Sequence, residues 1–424
     1  SRAFATQRPS LAIGGGPAAA QTNGTFNLTA IYALNFLTGS VGVPGGIVLN
    51  PVPPKAFPSA ARPPSPFVGW RRLAERLRTG QPQPVNLVMF RGVNPVYSLP
   101  ASLGFAEALA RVPLVVSFAS IMDETAALAD LVLPEHTYLE DWGDDVPVPG
   151  PGYQVIGYQQ PVVLPVHDTR SFPDVLLVLA QELGPDMEQA LPWKTFRDVL
   201  RDGAKQLQAL GRGSIVEANS EVFWNRALQS GGWWDASSRF TGSLPQPQAL
   251  PTQAPPPEFG GDPHDFPLHL VPFASHSLGD GRGAHLPWLQ ATPDPVTSVA
   301  WQTWVEVGRQ TARENDLEEG MVVSLESPQG RVEAAVYVNP ALPPEVVAVP
   351  VGQGHSSYGR YAQGRGANVL SILAPLEDRL NGALAWAATR VRLVKTARRE
   401  PIPKFEGTMF AAQVPGSEII EVTR

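Results

Sequence analysis

No cysteine occurs anywhere in the 424 residues. That excludes disulfides, thiolate nucleophiles, zinc fingers and cysteine-ligated iron–sulfur clusters from this chain, while leaving its compartment open. Also lacking is any run near the roughly 20 apolar residues needed to cross a bilayer, so a membrane would be reached through another subunit. Positive charge is sparse: the net charge is −7 and the pI about 5.6, which argues against nucleic acid as a partner because no basic stripe is present to neutralise phosphates. No Walker-type phosphate loop, nucleophile elbow or HExxH pair is found. There is neither an initiator Met nor a signal peptide, and by Leu11 the sequence is already in an apolar run ending at Gly14-Gly15-Gly16. The expectation is a domain whose N-terminal part precedes Ser1.

What is abundant is proline, 45 residues, and glycine, 39. Together they imply long ordered loops and an extended connector rather than helical bundles. A hydrophobic content of 43% in a chain of this length is enough for two or three domains with proper cores.

The stretch from Val85 to Asp145 organises the first half. Apolar runs at Val85–Phe90 and Pro113–Phe118 flank a segment with helical spacing (Phe105, Leu109, Val112), a strand–helix–strand unit. Near-continuous apolar strands point to a parallel sheet covered on both faces. Residues 11–16 read as a further buried strand. Helices are expected over Leu28–Leu37, with Asn27 or Thr25 as cap, over Trp70–Leu77, over Ser171–Leu183 and over Trp193–Leu210. Pro51–Pro66 reads as a surface loop, the segment after Asp145 as an irregular arm, and Gly231–Trp234 as a loop.

Ser243–Pro267 has the composition of an extended connector. Beyond it come short β runs, Leu268–Pro272, Thr303–Val307, Met321–Glu326, Gly330–Val338, Val346–Val351 and Ala388–Val394, with a helix at Ala312–Gly320 and a hairpin turn at Ser327–Gly330. This rhythm is that of a β-barrel or sandwich. The reading divides the chain into an α/β domain (1–195), an irregular bridge and linker (196–265), a barrel (266–400) and an extended tail (401–424) expected to lie over a partner.

In parallel sheets, ligands sit outside the carboxyl ends of the strands. Those ends lead here into Gly92-Val93-Asn94-Pro95 and Asp123-Glu124-Thr125-Ala126. Glycine lets a ligand approach the backbone and asparagine offers both donor and acceptor, although Asn-Pro is equally a common turn pair. Asp123 and Glu124 also sit where carboxylates cap a helix start. In the barrel, Gly352-Gln353-Gly354-His355 opens a polar loop running to Asn368, which reads either as a ligand wall or as a structural loop around a buried histidine. His136 lies among carboxylates but lacks the three or four convergent ligands of a stable metal site.

The order NGT…AIYALNFLTGSVGVPGG, GVNPVYSLP, DETAALADLVLPEHTYLEDWGDD, QQPVV, then EGMVVSLESPQGRVEAAVYV and GQGHSSYGRYAQGRGANVLSIL resembles the C-terminal half of molybdopterin oxidoreductases of the DMSO reductase-like superfamily. It is most similar to the large subunits of quinone-linked complexes such as alternative complex III and menaquinone reductase. The resemblance implies an α/β, parallel-sheet (Rossmann-like) domain followed by a C-terminal barrel of double-psi type. It implies that Asn94, Glu124, Thr125, Gln353, His355 and Asn368 face a molybdenum bis(molybdopterin guanine dinucleotide) cofactor, either present or vestigial. The residues His276 to His285 would lie near a substrate funnel. The iron–sulfur site and the residue bound to molybdenum would belong to the N-terminal half. Implied partners are that half, a ferredoxin-like iron–sulfur subunit, an NrfD-type integral membrane quinone-binding subunit and a multihaem cytochrome c. Implied location is a peripheral one at the periplasmic face of the membrane.

Overall fold

The computed structural model describes residues 1–54, 66–240 and 253–405. Most of the Pro51–Pro66 loop, the first part of the connector and the tail beyond residue 405 lie outside the described residues.

Three strands form the parallel sheet, in the order β1 (Leu87–Phe90), β2 (Leu114–Ser117), β3 (Leu131–Val132). Leu87 pairs with Leu114 and Phe90 with Ser117. The helix Phe67–Thr79 ends at Gly80, whose φ of +70° suits glycine, and Arg76 and Arg78 in its last turn complement the helix dipole. Its apolar stripe (Phe67, Trp70, Ala74, Leu77) packs with the helix Phe105–Leu109 against Val88, Phe90 and Val115. Alternation along each strand sends Leu87, Met89, Leu114 and Leu131 to the opposite face. There the cover is partial among the described residues: Val116 at the centre of the face is buried, while these four residues remain 41–44% exposed.

The barrel is closed and six-stranded: β7 (Leu268–Ala274), β8 (Trp304–Val307), β9 (Met321–Ser327), β10 (Gly330–Val338), β11 (Val346–Val351) and β12 (Thr389–Arg399), in the circular order β10-β8-β11-β7-β12-β9. The β8–β10 and β7–β11 pairs are parallel and the others antiparallel. Closure removes exposed edges, and inward residues such as Leu270, Val305, Leu325, Val336, Val347 and Val391 fill the interior. The β9–β10 hairpin turns at Ser327–Gly330 as the sequence predicts.

Several elements differ from expectation. Residues 11–15 form no strand, and Ile13 is 81% exposed. The Asn35 side chain takes the place of a neighbouring strand by accepting from Ala12 N and donating to Ala12 O. The first long helix is Gly24–Leu37, starting earlier than predicted. Its N-terminus is capped from far away by Asp378, which accepts from both Thr25 N and Thr25 Oγ1. The helix predicted at 312–320 is instead Arg309–Glu314, because the chain reverses at Asp316 with φ +50°.

The arm after Asp145 and the bridge are not irregular. β4 (Gly143–Asp145), β5 (Gln154–Gln159) and β6 (Gly232–Asp235) make an antiparallel sheet. It packs on the helices Phe196–Gln208 and Ser220–Gln229 around Leu207, Phe223 and Trp233. The predicted loop at 231–234 is therefore largely strand. Its glycine serves close pairing: a Cβ at Gly232 would stand 2.3 Å from the Ile156 carbonyl oxygen.

Candidate cofactor cleft

The β1 and β2 carboxyl ends open toward the barrel, and between them lies a cleft of about 580 Å³. The α/β side contributes Trp70, Gly92, Asn94, Ser120, Asp123 and Glu135. The barrel side contributes Asp280, Arg282, His285, His355 and Tyr358. Gly92 has φ +64° and open space at its Cα, so the backbone is bare where β1 meets the cleft.

The two loop sets meet directly. Asn94 Nδ2 donates to Glu124 Oε2 at 2.7 Å, while Asn94 Oδ1 accepts from Thr125 N and Thr125 Oγ1. Glu124 Oε1 accepts from the backbone of Ser356 (2.7 Å) and Ser357 (3.2 Å) in the barrel loop, and His355 Nδ1 lies 3.1 Å away. An ionised carboxylate only accepts, so Nδ1 carries the shared proton. Asn368 Nδ2 donates to Tyr97 O, and Tyr97 OH donates to Gln353 O. Gln353 itself is buried against Gln290 through paired amides. An aromatic series ties the wall together: Tyr97 stacks on His355 at 3.9 Å, His355 sits 4.8 Å from Tyr358, and Tyr358 sits 4.8 Å from His285.

Thus all six predicted site residues fall in one network, but only Asn94 and His355 line the cleft. Glu124, Thr125, Gln353 and Asn368 stand behind its wall, bonded to their neighbours. Tyr97, Trp70 and Glu135 were not singled out by sequence. Tyr97 lies two residues past the Asn94-Pro95 turn that was singled out, whereas Trp70 looks like any apolar residue of an amphipathic helix.

The electrostatics follow from enclosure. Burial alone would raise the Glu124 carboxyl, but hydrogen bonds from His355 and Asn94 and the His355 charge outweigh it and hold the group at about 2. Burial raises Asp123 above the ordinary carboxylate value despite a bond from Ala126 N. Burial lowers His285 and pushes Tyr358 up to about 12. His355 Nε2 is buried without a hydrogen-bond partner among the described residues, and a Cβ on Gly281 would come within 3.0 Å of it.

A guanine or pterin edge carries donors that the Asp123 and Glu135 carboxylates could accept. The phosphates of a dinucleotide need cations or free N–H groups instead. The arginines at the rim are already tied, Arg91 to Glu135 at 2.6 Å and Arg282 to Asp280 at 3.0 Å. Lining carboxylates outnumber lining arginines. Among the described residues the lining arginine, Arg282, is held in an exposed pair with Asp280, so a diphosphate would have to draw on it or on backbone N–H groups such as those bared near Gly92. No group of three or more potential metal ligands occurs among the described residues, including around His136, whose Nδ1 bonds Thr169 Oγ1.

The fold, a parallel α/β domain facing a six-stranded barrel across such a cleft, defines a class. Residues 2–181 match the molybdopterin oxidoreductase family and residues 289–381 the molydopterin dinucleotide binding domain. The α/β region is thus similar to molybdopterin oxidoreductases and the barrel to the molydopterin dinucleotide binding domain. Among curated relatives, it is 29% identical over 384 residues to the menaquinone reductase molybdopterin-binding-like subunit of Nitratidesulfovibrio vulgaris, covering 88% of this chain and 51% of that protein. It is 24% identical to the arsenate respiratory reductase molybdopterin-containing subunit of a Shewanella species, covering 76% of this chain and 46% of that one. The chain thus spans about half the length of these relatives. The fold is shared with acetylene hydratase from Pelobacter acetylenicus, with a TM-score of 0.65 at 16% identity over 93% of this chain and 62% of that one.

Proposed function

We propose that this chain is a molybdopterin oxidoreductase-like subunit of a membrane-bound, quinone-linked respiratory complex, serving there as a scaffold rather than as the seat of the redox reaction. One observation carries the reading. The Glu124 carboxylate, in the loop expected to grip a nucleotide, is spent on Asn94, His355 and the Ser356 and Ser357 amides. Residues that could hold a cofactor hold the two domains to each other instead. The likeness to a menaquinone reductase subunit described as molybdopterin-binding-like supports the quinone-linked setting. No helix among the described residues is long and apolar enough to cross a membrane. On this reading the chain is peripheral, at the periplasmic face, and electrons pass through partners: a ferredoxin-like iron–sulfur subunit, an NrfD-type quinone-binding membrane subunit and a multihaem cytochrome c.

A second reading makes this the cofactor-bearing half of a molybdenum bis(molybdopterin guanine dinucleotide) enzyme. It is favoured by the cleft volume of about 580 Å³, within the roughly 300–1,000 Å³ of small-molecule sites. Any further phosphate grip and the metal ligand would then come from polypeptide beyond these residues. Expression of the complex in a host unable to make molybdopterin separates the two. The scaffold reading expects the complex to assemble and pass electrons to or from quinone at its normal rate. Loss of that activity, restored with molybdopterin synthesis, would favour the second.

A further inference from the structure

After β5 the chain crosses the surface as an arm, residues 160–170, with no charged side chain from Gln160 to Val166. Its apolar residues stand in water: Leu164 is 87% exposed, Val166 78% and Val162 68%, and Tyr138 and Leu139 beside them are exposed as well. The arm is held in place. Val162 N and Val163 N donate to Leu139 O, and Val166 N donates to Glu140 Oε1 at 3.0 Å. Glu140 is buried, and its other oxygen accepts from Thr137 N and Thr137 Oγ1. At the near end Gln159 Nε2 donates to Tyr138 O. At the far end Arg170 N donates to Pro134 O, and Arg170 O accepts from His136 N. Pro161 and Pro165 remove further backbone freedom. A buried carboxylate and two pinned ends thus fix apolar side chains where they meet solvent. Single exposed apolar residues are ordinary, but a contiguous group of them marks a contact surface. Order present before contact lowers the cost of binding.

The charges around the arm select its occupant. Asp141, Asp145 and Asp168 flank it and Arg170 ends it, so the local balance is negative. An interfacial membrane anchor carries Lys and Arg beside its apolar residues, and an anionic leaflet would repel this flank. A symmetric contact with a second copy would set the same carboxylates against each other. We infer that the arm docks into another subunit of the complex, at an apolar groove with Lys or Arg along its rim. None of residues 160–170 lines the cleft, so this contact is independent of what the cleft holds. The inference rests on the reading of the chain as one subunit of a larger complex.

The test is Leu164→Asp combined with Val166→Asp. Neither residue is buried, so the fold should keep its melting temperature to within about 2 °C. Each aspartate would bury a charge in an apolar groove. In the complex purified through a tag on this chain, the subunit that grips the arm should therefore fall at least about tenfold relative to wild type. A photo-crosslinking residue at Leu164, in the otherwise wild-type complex, should join that same subunit at a peptide with Lys or Arg beside apolar residues. Unchanged subunit content in the folded double variant overturns the inference. So does a crosslink to lipid, to a second copy, to this chain's own polypeptide or to an acidic peptide. If no subunit co-purifies with the wild-type protein, the reading of the chain as part of a complex falls as well. Subunits that co-purify but ignore the arm overturn the docking inference alone.

Discussion

Replacing Glu124 by glutamine changes one oxygen to an NH₂ group and leaves size and shape alone. In the native arrangement Oε1 takes the Ser356 and Ser357 N–H groups and Oε2 takes Asn94 Nδ2, with His355 Nδ1 near both. Whichever way the new amide points, it sets donor against donor on one side. One or two enclosed donors are left unmet, and each costs about 1–3 kcal/mol, so Glu124→Gln should lose about 2–4 kcal/mol. The effect carries a pH signature. The folded carboxyl is depressed from 4.5 to about 2, so it stabilises the fold above pH 4.5, and that contribution is lost as pH falls toward 2. Screened for partial solvent contact, this linkage amounts to about 2–3 kcal/mol. Urea denaturation at pH 7 and at pH 3 reads both. The wild type should exceed the variant by the stated amount at pH 7, and the gap should shrink at pH 3. Glu107→Gln, exposed on the helix Phe105–Leu109, should stay within about 0.5 kcal/mol of wild type. A gap below about 0.5 kcal/mol for Glu124→Gln, or one independent of pH, would refute the clasp.

Further outcomes follow from the same geometry. Asn94→Ala removes a donor to Glu124 and an acceptor for Thr125 and should cost about 2 kcal/mol. Combined with Glu124→Gln it should cost less than the sum, read by a double-mutant cycle in urea. Gly354→Ala puts a Cβ 2.0 Å from Asn368 N at φ +84°, so it should fail to give soluble protein or lose more than about 4 kcal/mol. Gly364→Ala, at φ +72° with open space, should lose only about 1 kcal/mol, read by urea denaturation. Leu207→Ala empties a fully buried site in the third core and should cost about 2–5 kcal/mol, while barrel amides keep their hydrogen-exchange protection.

The sequence was most legible where local chemistry decides. Glycine and proline punctuation around branched residues marked all six barrel strands to within a few residues, and the apolar runs marked β1 and β2. The rule that ligands gather at carboxyl ends of parallel strands pointed to Asn94 and Glu124, and both stand in the network behind or along the cleft. Illegible were features set by contacts distant in sequence. The cap on the helix Gly24–Leu37 comes from Asp378, so neither Asn27 nor Thr25 caps it locally. Paired glycines before Trp233 read as a break because nothing local shows the Ile156 carbonyl pressing against Gly232. Above all, a sequence shows that Glu124 and His355 are polar but not that Glu124 is saturated by its neighbours while His355, bonded through Nδ1, keeps Nε2 without a partner among the described residues.

The most direct measurement is the metal and pterin content of the intact assembly, by elemental mass spectrometry for molybdenum and tungsten and by fluorescence of oxidised, extracted pterin. If the candidate residues clasp one another in place of a cofactor, both elements and the pterin stay far below one per chain in a complex that retains its quinone-linked activity. Stoichiometric molybdenum or tungsten with extractable pterin guanine dinucleotide, traced to the cleft between Asn94 and His355, would contradict that account.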